Sequence, residues 1–330
     1  MMFGFRFLAA TAATLMLTAG AQAQPITIAS NPAGTDSNTV SSGIAKYLSA
    51  KGITALVRPY SGTSVYGSLI TTPEVTMGLL TGADGYMRYT GADEREKLPT
   101  LRSLFRAFPL PYGYFARCNS QMQTISDLKG HRVAVEIKAN GSLGTINRAI
   151  LASSGLSEDD VDAVAVGNLP SGIQGVVDGT IDAMTVAAGI ARMQEVNATT
   201  PGGICYLELD GEKATQSELE KAVFGLFTYV VEPGPIFPEV KRPVKIAALD
   251  FFMTADASMD EQQAYDVVKA IYDNWEQLQE DYPTLRKAPR DELASATNGV
   301  PFHPGAMRFF KEVGLWSEEN AARDAGLAGK

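Results

Sequence analysis

Four short runs of small polar residues carry most of the hydrogen-bonding capacity that could do chemistry. They are Asn31-Pro32-Ala33-Gly34-Thr35-Asp36-Ser37, Ser61-Gly62-Thr63-Ser64, Thr81-Gly82-Ala83-Asp84 and Asn140-Gly141-Ser142-Leu143-Gly144-Thr145. Each follows a β-rich apolar run and precedes an apolar-periodic one, which places it at the C-terminal end of a strand and the start of a helix. Unpaired N–H groups and partial positive charge at such helix starts suit a solute with hydrogen-bonding groups, a carboxylate in particular. For any one loop the plainer role is N-capping by Ser, Thr, Asp or Asn. Four loops together point to a cleft, with Asn31, Gly34, Thr35, Asp36, Ser37, Ser61, Thr63, Ser64, Thr81, Asn140, Gly141, Ser142 and Thr145 as candidate ligand-binding residues. The anionic group is expected at the Ser142 hydroxyl and its neighbouring backbone N–H groups, with Gly141 permitting close approach. Asp36 either caps its helix outside the pocket or meets a cationic or hydroxyl group of the solute. Arg58, Arg117 and Arg192 are the candidates for a carboxylate clamp.

Catalytic signatures are missing from the same sequence. It has no Gly-x-Ser-x-Gly elbow, no Walker loop and no dinucleotide fingerprint, and neither His stands near a Ser or Cys in a nucleophile arrangement. Asp159-Asp160 reads as solvated helix-start residues rather than an acid–base pair. His303, bracketed by Pro301 and Pro304, reads as a hydrogen-bonding turn residue, and Tyr86 and Tyr89 as core or surface residues of one helix. Two Cys and two His are too few for the usual zinc or iron–sulfur ligand sets, so neither metal nor cofactor is expected.

The elements that must position those loops follow from composition and periodicity. The chain has 330 residues, 45% of them hydrophobic and 20% charged, the range of a globular protein of about two domains. Lys plus Arg number 28 against 37 Asp plus Glu, a net charge of −9 that argues against nucleic-acid or anionic-membrane partners. Arg6, the apolar run Phe7 to Leu17 and Ala21-Gln22-Ala23 form a secretory signal-peptide pattern over residues 1–23, and the apolar run is too short to span a bilayer. An exported product with no membrane insertion after cleavage is expected. In an oxidising compartment Cys118 and Cys205 either close a disulfide or remain two buried thiols.

Strand-to-loop-to-helix units begin at Ile26, Thr54 and Val75, and a second series runs from Arg132 through Ala183. That alternation predicts an α/β fold with mainly parallel sheets, the second sheet built anew after the aromatic and Pro-rich crossing at 104–117. The strand Val244 to Leu249 returns the chain to the first lobe, and a mainly helical segment starts at Asp260. The expected architecture is two lobes, residues 24–114 with 245–330 as lobe 1 and 115–244 as lobe 2. The ligand cleft lies between them, as in a type II-like two-lobe periplasmic binding protein, with hinges near 108–116 and 241–252.

Pro301-Phe302-His303-Pro304-Gly305-Ala306-Met307-Arg308-Phe309-Phe310-Lys311-Glu312-Val313-Gly314-Leu315 resembles the closing motif of the TAXI-type solute-binding proteins. Ile125 to Val135, the Gly141-Ser142 loop and Asp178 to Ala183 with Ala187-Ala188-Gly189 resemble the same family over nearly the whole mature chain. The resemblance implies a periplasmic receptor that closes on a small carboxylate-bearing solute, an organic acid or amino acid, for the membrane subunits of a TRAP transporter, and it adds Ala188 to the candidate site. An exported enzyme using the same cleft and a sensory binding module are the alternatives.

Overall fold

The structure is a computed structural model and describes residues 25–330; the signal-peptide expectation for residues 1–23 lies outside them. In chain order the elements begin with β1 (Ile26–Ser30), α1 (Asp36–Ala50), β2 (Ala55–Pro59), α2 (Thr63–Leu69), β3 (Met77–Thr81), α3 (Gly82–Thr90) and β4 (Leu101–Arg117). There follow β5 (Arg132–Ile137), α4 (Ser142–Ser153), β6 (Asp162–Val166), α5 (Leu169–Asp178), β7 (Ala183–Ala187), α6 (Ala191–Thr199), β8 (Ile204–Tyr206), α7 (Gln216–Ala222) and β9 (Leu226–Val231). The chain closes with β10 (Val244–Asp256), α8 (Glu261–Asp273), α9 (Trp275–Asp281), α10 (Pro304–Glu312) and α11 (Glu318–Ala328).

All ten strands belong to one hydrogen-bonded sheet, ordered β2-β1-β3-β10-β4-β7-β5-β6, with β8 added to β4 and β9 to β10. The expectation of a second, separate sheet is therefore corrected. The reason is the length of β4 and β10, 17 and 13 residues, which lets each serve both ends of the molecule. Along β10, β9 pairs with 244–249 and β3 with 251–255; along β4, β10 pairs with 101–112 and β7 with 112–116. The β4–β10 ladder carries register shifts between Phe251 and Phe252 and between Met253 and Thr254.

Within each end the pairing is parallel: β1 with β2 and β3, β5 with β6 and β7. Parallel strands need helices on their faces. In keeping with that, β3 and β7 are buried along their whole length, and α1 turns Val40, Ile44 and Leu48 into the core. Asp260 caps α8 by accepting from the Gln263 N–H at 2.9 Å. His303 caps α10: its buried ring accepts the Gly305 N–H at Nδ1 (3.2 Å), which leaves Nε2–H to donate to the Met259 carbonyl (3.0 Å). Burial lowers its pKa and keeps it neutral, the turn role read from the sequence.

Cys118, just past β4, is bonded to Cys205 in β8, with Cα atoms 5.0 Å apart. The neighbouring pair Ala116–Cys205 in the ladder explains the proximity. Among the described residues no helix is long and apolar enough to cross a membrane, and no group of three His, Cys, Asp or Glu could hold a metal.

Candidate functional site

The C-terminal ends of β1, β3, β5 and β7 converge on a cavity of about 60 Å³, whose floor is the middle of β4 and β10. Leu110, Tyr112 and Phe251 come from the two long strands; the remaining lining comes from loops and helix starts on both sides.

The β1–β3 side is polar. Thr35 and Thr81 cap α1 and α3, accepting from the Asn38 N–H (3.3 Å) and the Asp84 N–H (3.0 Å), and both also line the cavity. Capping and lining are thus one arrangement, because a cap must sit where the strand hands over to the helix. Asp36, one residue inside α1, is buried and lines the cavity; its Oδ2 accepts from Thr284 Oγ1 (2.7 Å) and from Lys287 Nζ (3.4 Å). Lys287 lies behind the wall with only 2% of its side chain exposed, over the rings of Phe108 and Phe237 at 5.4 and 5.6 Å. Burial pulls its pKa down, while Asp36 and Glu239 favour the charged form. Glu239 is itself pushed up by burial; its Oε1 accepts the Gly189 N–H at 2.6 Å.

Asp84, in the first turn of α3, is 1% exposed and points its Oδ2 at Arg88 Nε (3.2 Å), while Arg88 Nη2 donates to the Thr63 carbonyl (2.8 Å). Asp84 Oδ1 has no hydrogen-bond partner.

The β5–β7 side is mainly apolar: Leu143, Leu169, Val186, Ala187 and Ile190, with Asn140 and Ser142 as its polar members. Asn140 Nδ2 donates across the cavity to Asn31 Oδ1 (3.2 Å) and Thr63 Oγ1 (3.5 Å), while its Oδ1 is unpartnered. The buried Tyr112 hydroxyl is spent on Asn147 (3.0 Å) and Thr185 (2.6 Å), and burial raises its pKa.

Of the residues singled out in the sequence, Asn31, Thr35, Asp36, Ser37, Thr63, Thr81, Asn140 and Ser142 line the cavity together. Gly34, Ser61, Ser64, Gly141, Thr145 and Ala188 do not. Ser64 and Gly141 instead bind each other, the Gly141 N–H donating to Ser64 Oγ at 2.9 Å, and Thr145 donates to Asp93 at 2.6 Å. These contacts fasten the two sides at the cavity rim. A Cβ at Gly141 would meet the Arg95 guanidinium at 2.3 Å, so the expected close approach is to Arg95. Gly34 bends at φ 87°, its carbonyl accepting from the Arg192 N–H at 3.5 Å, Ser61 is exposed, and Ala188 donates its N–H to the Pro111 carbonyl at 2.9 Å.

None of the three Arg candidates for a clamp lines the cavity. Arg58 pairs with Glu74 (2.9 Å) and Arg192 with Glu195 (2.9 Å), both at the surface, and Arg117 lies beside Gly179. Asp84, Tyr112 and Phe251 were absent from the candidate set. Asp84 stood in the Thr81–Asp84 loop, where its place one turn from Arg88 was the available signal.

A model of the NMT1-like family matches residues 28–314. Among solved structures, the chain is similar to the alkanesulfonate-binding protein SsuA from Xanthomonas axonopodis pv. citri bound to MOPS, at 14% identity over 92% of this chain and 99% of that one, with a TM-score of 0.51. It is also similar to PhnD1 from Prochlorococcus marinus in complex with methylphosphonate, at 11% identity over 80% and 90% of the two chains, TM-score 0.52. A third, described as a periplasmic transporter, has 12% identity over 92% and 95%, TM-score 0.56. At these identities the likeness is one of fold, the α/β fold of two-lobe periplasmic binding proteins.

Proposed function

The chain belongs to the NMT1-like family, and from that premise we propose that it is an exported, periplasmic solute receptor that closes its two lobes over one small molecule and delivers it to a membrane transporter. The observation that carries this reading is the cavity itself. It is lined from both sides of the sheet and bridged by Asn140 to Asn31 and by Gly141 to Ser64. Lobe 1 comprises 24–114 with 245–330 and lobe 2 comprises 115–244; β4 and β10 are the two crossings, and closure is a hinge motion about them. A carboxylate on the solute, an organic acid or amino acid, would be met by the Ser142 hydroxyl at the start of α4. A TRAP-type membrane partner is the finer reading that accompanies the closing motif at 301–315.

Gly62 offers a direct test of closure. A Cβ there would stand 2.0 Å from the Ala139 carbonyl oxygen on the opposite side of the cleft, a backbone contact that only separation of the sides can relieve. Small-angle scattering on the wild type with its co-purified or screened solute should record contraction, with the solute recovered chemically unchanged. Gly62→Ala should remain expanded and bind at least tenfold more weakly with nearly unchanged melting temperature. Contraction of Gly62→Ala equal to wild type would refute the closure reading, and turnover of the solute would favour an exported enzyme in the same cleft.

A further inference from the structure

The chemistry of the solute can be read from what the cavity walls leave unpaired, an inference that rests on the receptor reading above. Two buried acceptors on residues that line the cavity lack partners, Asp84 Oδ1 and Asn140 Oδ1, and their residues are only 1% and 3% exposed. A buried acceptor left in that condition is costly, so a donor brought by the solute regains free energy there. No Lys, Arg or His lines the cavity among the described residues. The cations that touch its two acids are committed behind the wall, Lys287 to Asp36 and Arg88 to Asp84. Both pairs are charge-neutral as they stand. A lone carboxylate entering the cavity would face two acid side chains and no cationic side chain among the lining residues.

We infer that the obligatory feature of the solute is a nitrogen head group with N–H donors, an ammonium, amidine or amide, that bonds Asp84 Oδ1 and Asn140 Oδ1. Its small apolar remainder lies against Leu143, Leu169, Val186 and Ile190. A carboxylate elsewhere on the same molecule remains compatible at Ser142, so between the organic acids and amino acids of the receptor reading the nitrogen selects the amino acids and their derivatives; a carboxylic acid without the nitrogen binds at least tenfold more weakly. Hydroxyl donors alone are weaker partners for a carboxylate oxygen than a charged N–H.

Calorimetry with glycinamide, acetamide, acetate and succinate on the mature protein tests this. Glycinamide should bind at least tenfold more tightly than acetate or succinate. Asp84→Asn, which turns an acceptor into a donor, should weaken glycinamide at least tenfold. Because that change strands the buried Arg88 charge, the double variant Asp84→Asn/Arg88→Gln, with a neutral hydrogen-bonding pair, should show the same loss while melting as one cooperative unit. Acetate or succinate binding as tightly as glycinamide, no glycinamide binding, or an unchanged glycinamide affinity in the folded double variant overturns the inference. If the acids bind and scattering shows contraction, the receptor reading survives that failure. If neither these probes nor a wider screen of small metabolites contracts the chain, both fall.

Discussion

The two walls of the cavity solve different physical problems. On the β1–β3 side, Asp36 and Asp84 are held at helix starts, each backed by a buried cation, Lys287 and Arg88. On the β5–β7 side, Leu143, Val186 and Ile190 need nothing beyond packing, and only Asn140 and Ser142 offer polar atoms. A charged wall must be pre-organised before a solute arrives, because an acid desolvated without its partner costs several kcal/mol. An apolar wall can approach afterwards and gains free energy by shedding water. On the proposed receptor reading, the contrast sets an order of events: the solute first meets the hydrogen-bonding wall, and the apolar wall seals it.

The largest expected effect comes from removing the backing of the polar wall. Lys287→Met leaves Asp36 buried with only Thr284 as partner and should cost about 3–5 kcal/mol in urea denaturation. Adding Asp36→Asn should return most of that loss; a double variant as unstable as the single one would show that Lys287 acts through packing on Phe108 and Phe237 instead. Next comes the covalent tie that braces the apolar side. Cys118→Ser with Cys205→Ser opens a link between residues 87 apart and should lower stability by about 2–4 kcal/mol, with thiol titration of the unfolded wild type finding no free Cys.

A smaller change separates sealing from stability. Leu169→Ala, at a partly buried position on the cavity rim, should weaken solute binding by about 1–2 kcal/mol while the melting temperature of the empty protein moves little. Unchanged affinity in a polar replacement of similar size, Leu169→Gln, would contradict an apolar seal.

The smallest effect lies far from the cavity, where Arg132 Nε and Nη2 donate to Asp182 at 3.0 and 2.7 Å and hold its carboxyl below the usual range. A depressed folded-state pKa gives stability that is present above the unfolded value, near pH 4, and is lost as pH falls through the folded one. Asp182→Asn should flatten the acid limb of the stability–pH curve below about pH 4 by up to about 1 kcal/mol, since Arg132 is partly exposed. An unchanged acid limb would remove this pair from the acid response.

Local signals were legible and long-range ones were not. Ile26–Ser30 and Arg132–Ile137 announce themselves as short β-branched runs before polar loops, and Thr35 and Thr81 as caps. The strand from Leu101 to Arg117 was hidden because Pro109 and Pro111 argue against a ladder. Both face one edge of β4, where the Pro111 carbonyl accepts from Ala188 outside the β7 pairing, so no ladder N–H is demanded of them. At the site, Asn140 and Ser142 could be found from their loop, whereas Phe251 enters from β10 and Lys287 reaches Asp36 across 251 residues of sequence. No window of local sequence carries that information.

The pairing of β3 with β10 has a consequence for how the chain matures. Thr81 meets Phe251, so the edge of Met77–Thr81 has no neighbour until nearly all the intervening polypeptide has appeared. The β5–β6, β5–β7, β4–β7 and β4–β8 pairings join strands within residues 101–206 and can form earlier, whereas β4 along 101–112, like β3, waits for β10. A chain emerging from its N-terminus would therefore pair β5 through β8 before the open edge of β3 is covered. Meanwhile the apolar run Met-Gly-Leu-Leu-Thr stands as an open template, the kind of edge on which strands from other molecules add. The period before β10 arrives is thus when the chain is most open to pairing with strands of other molecules.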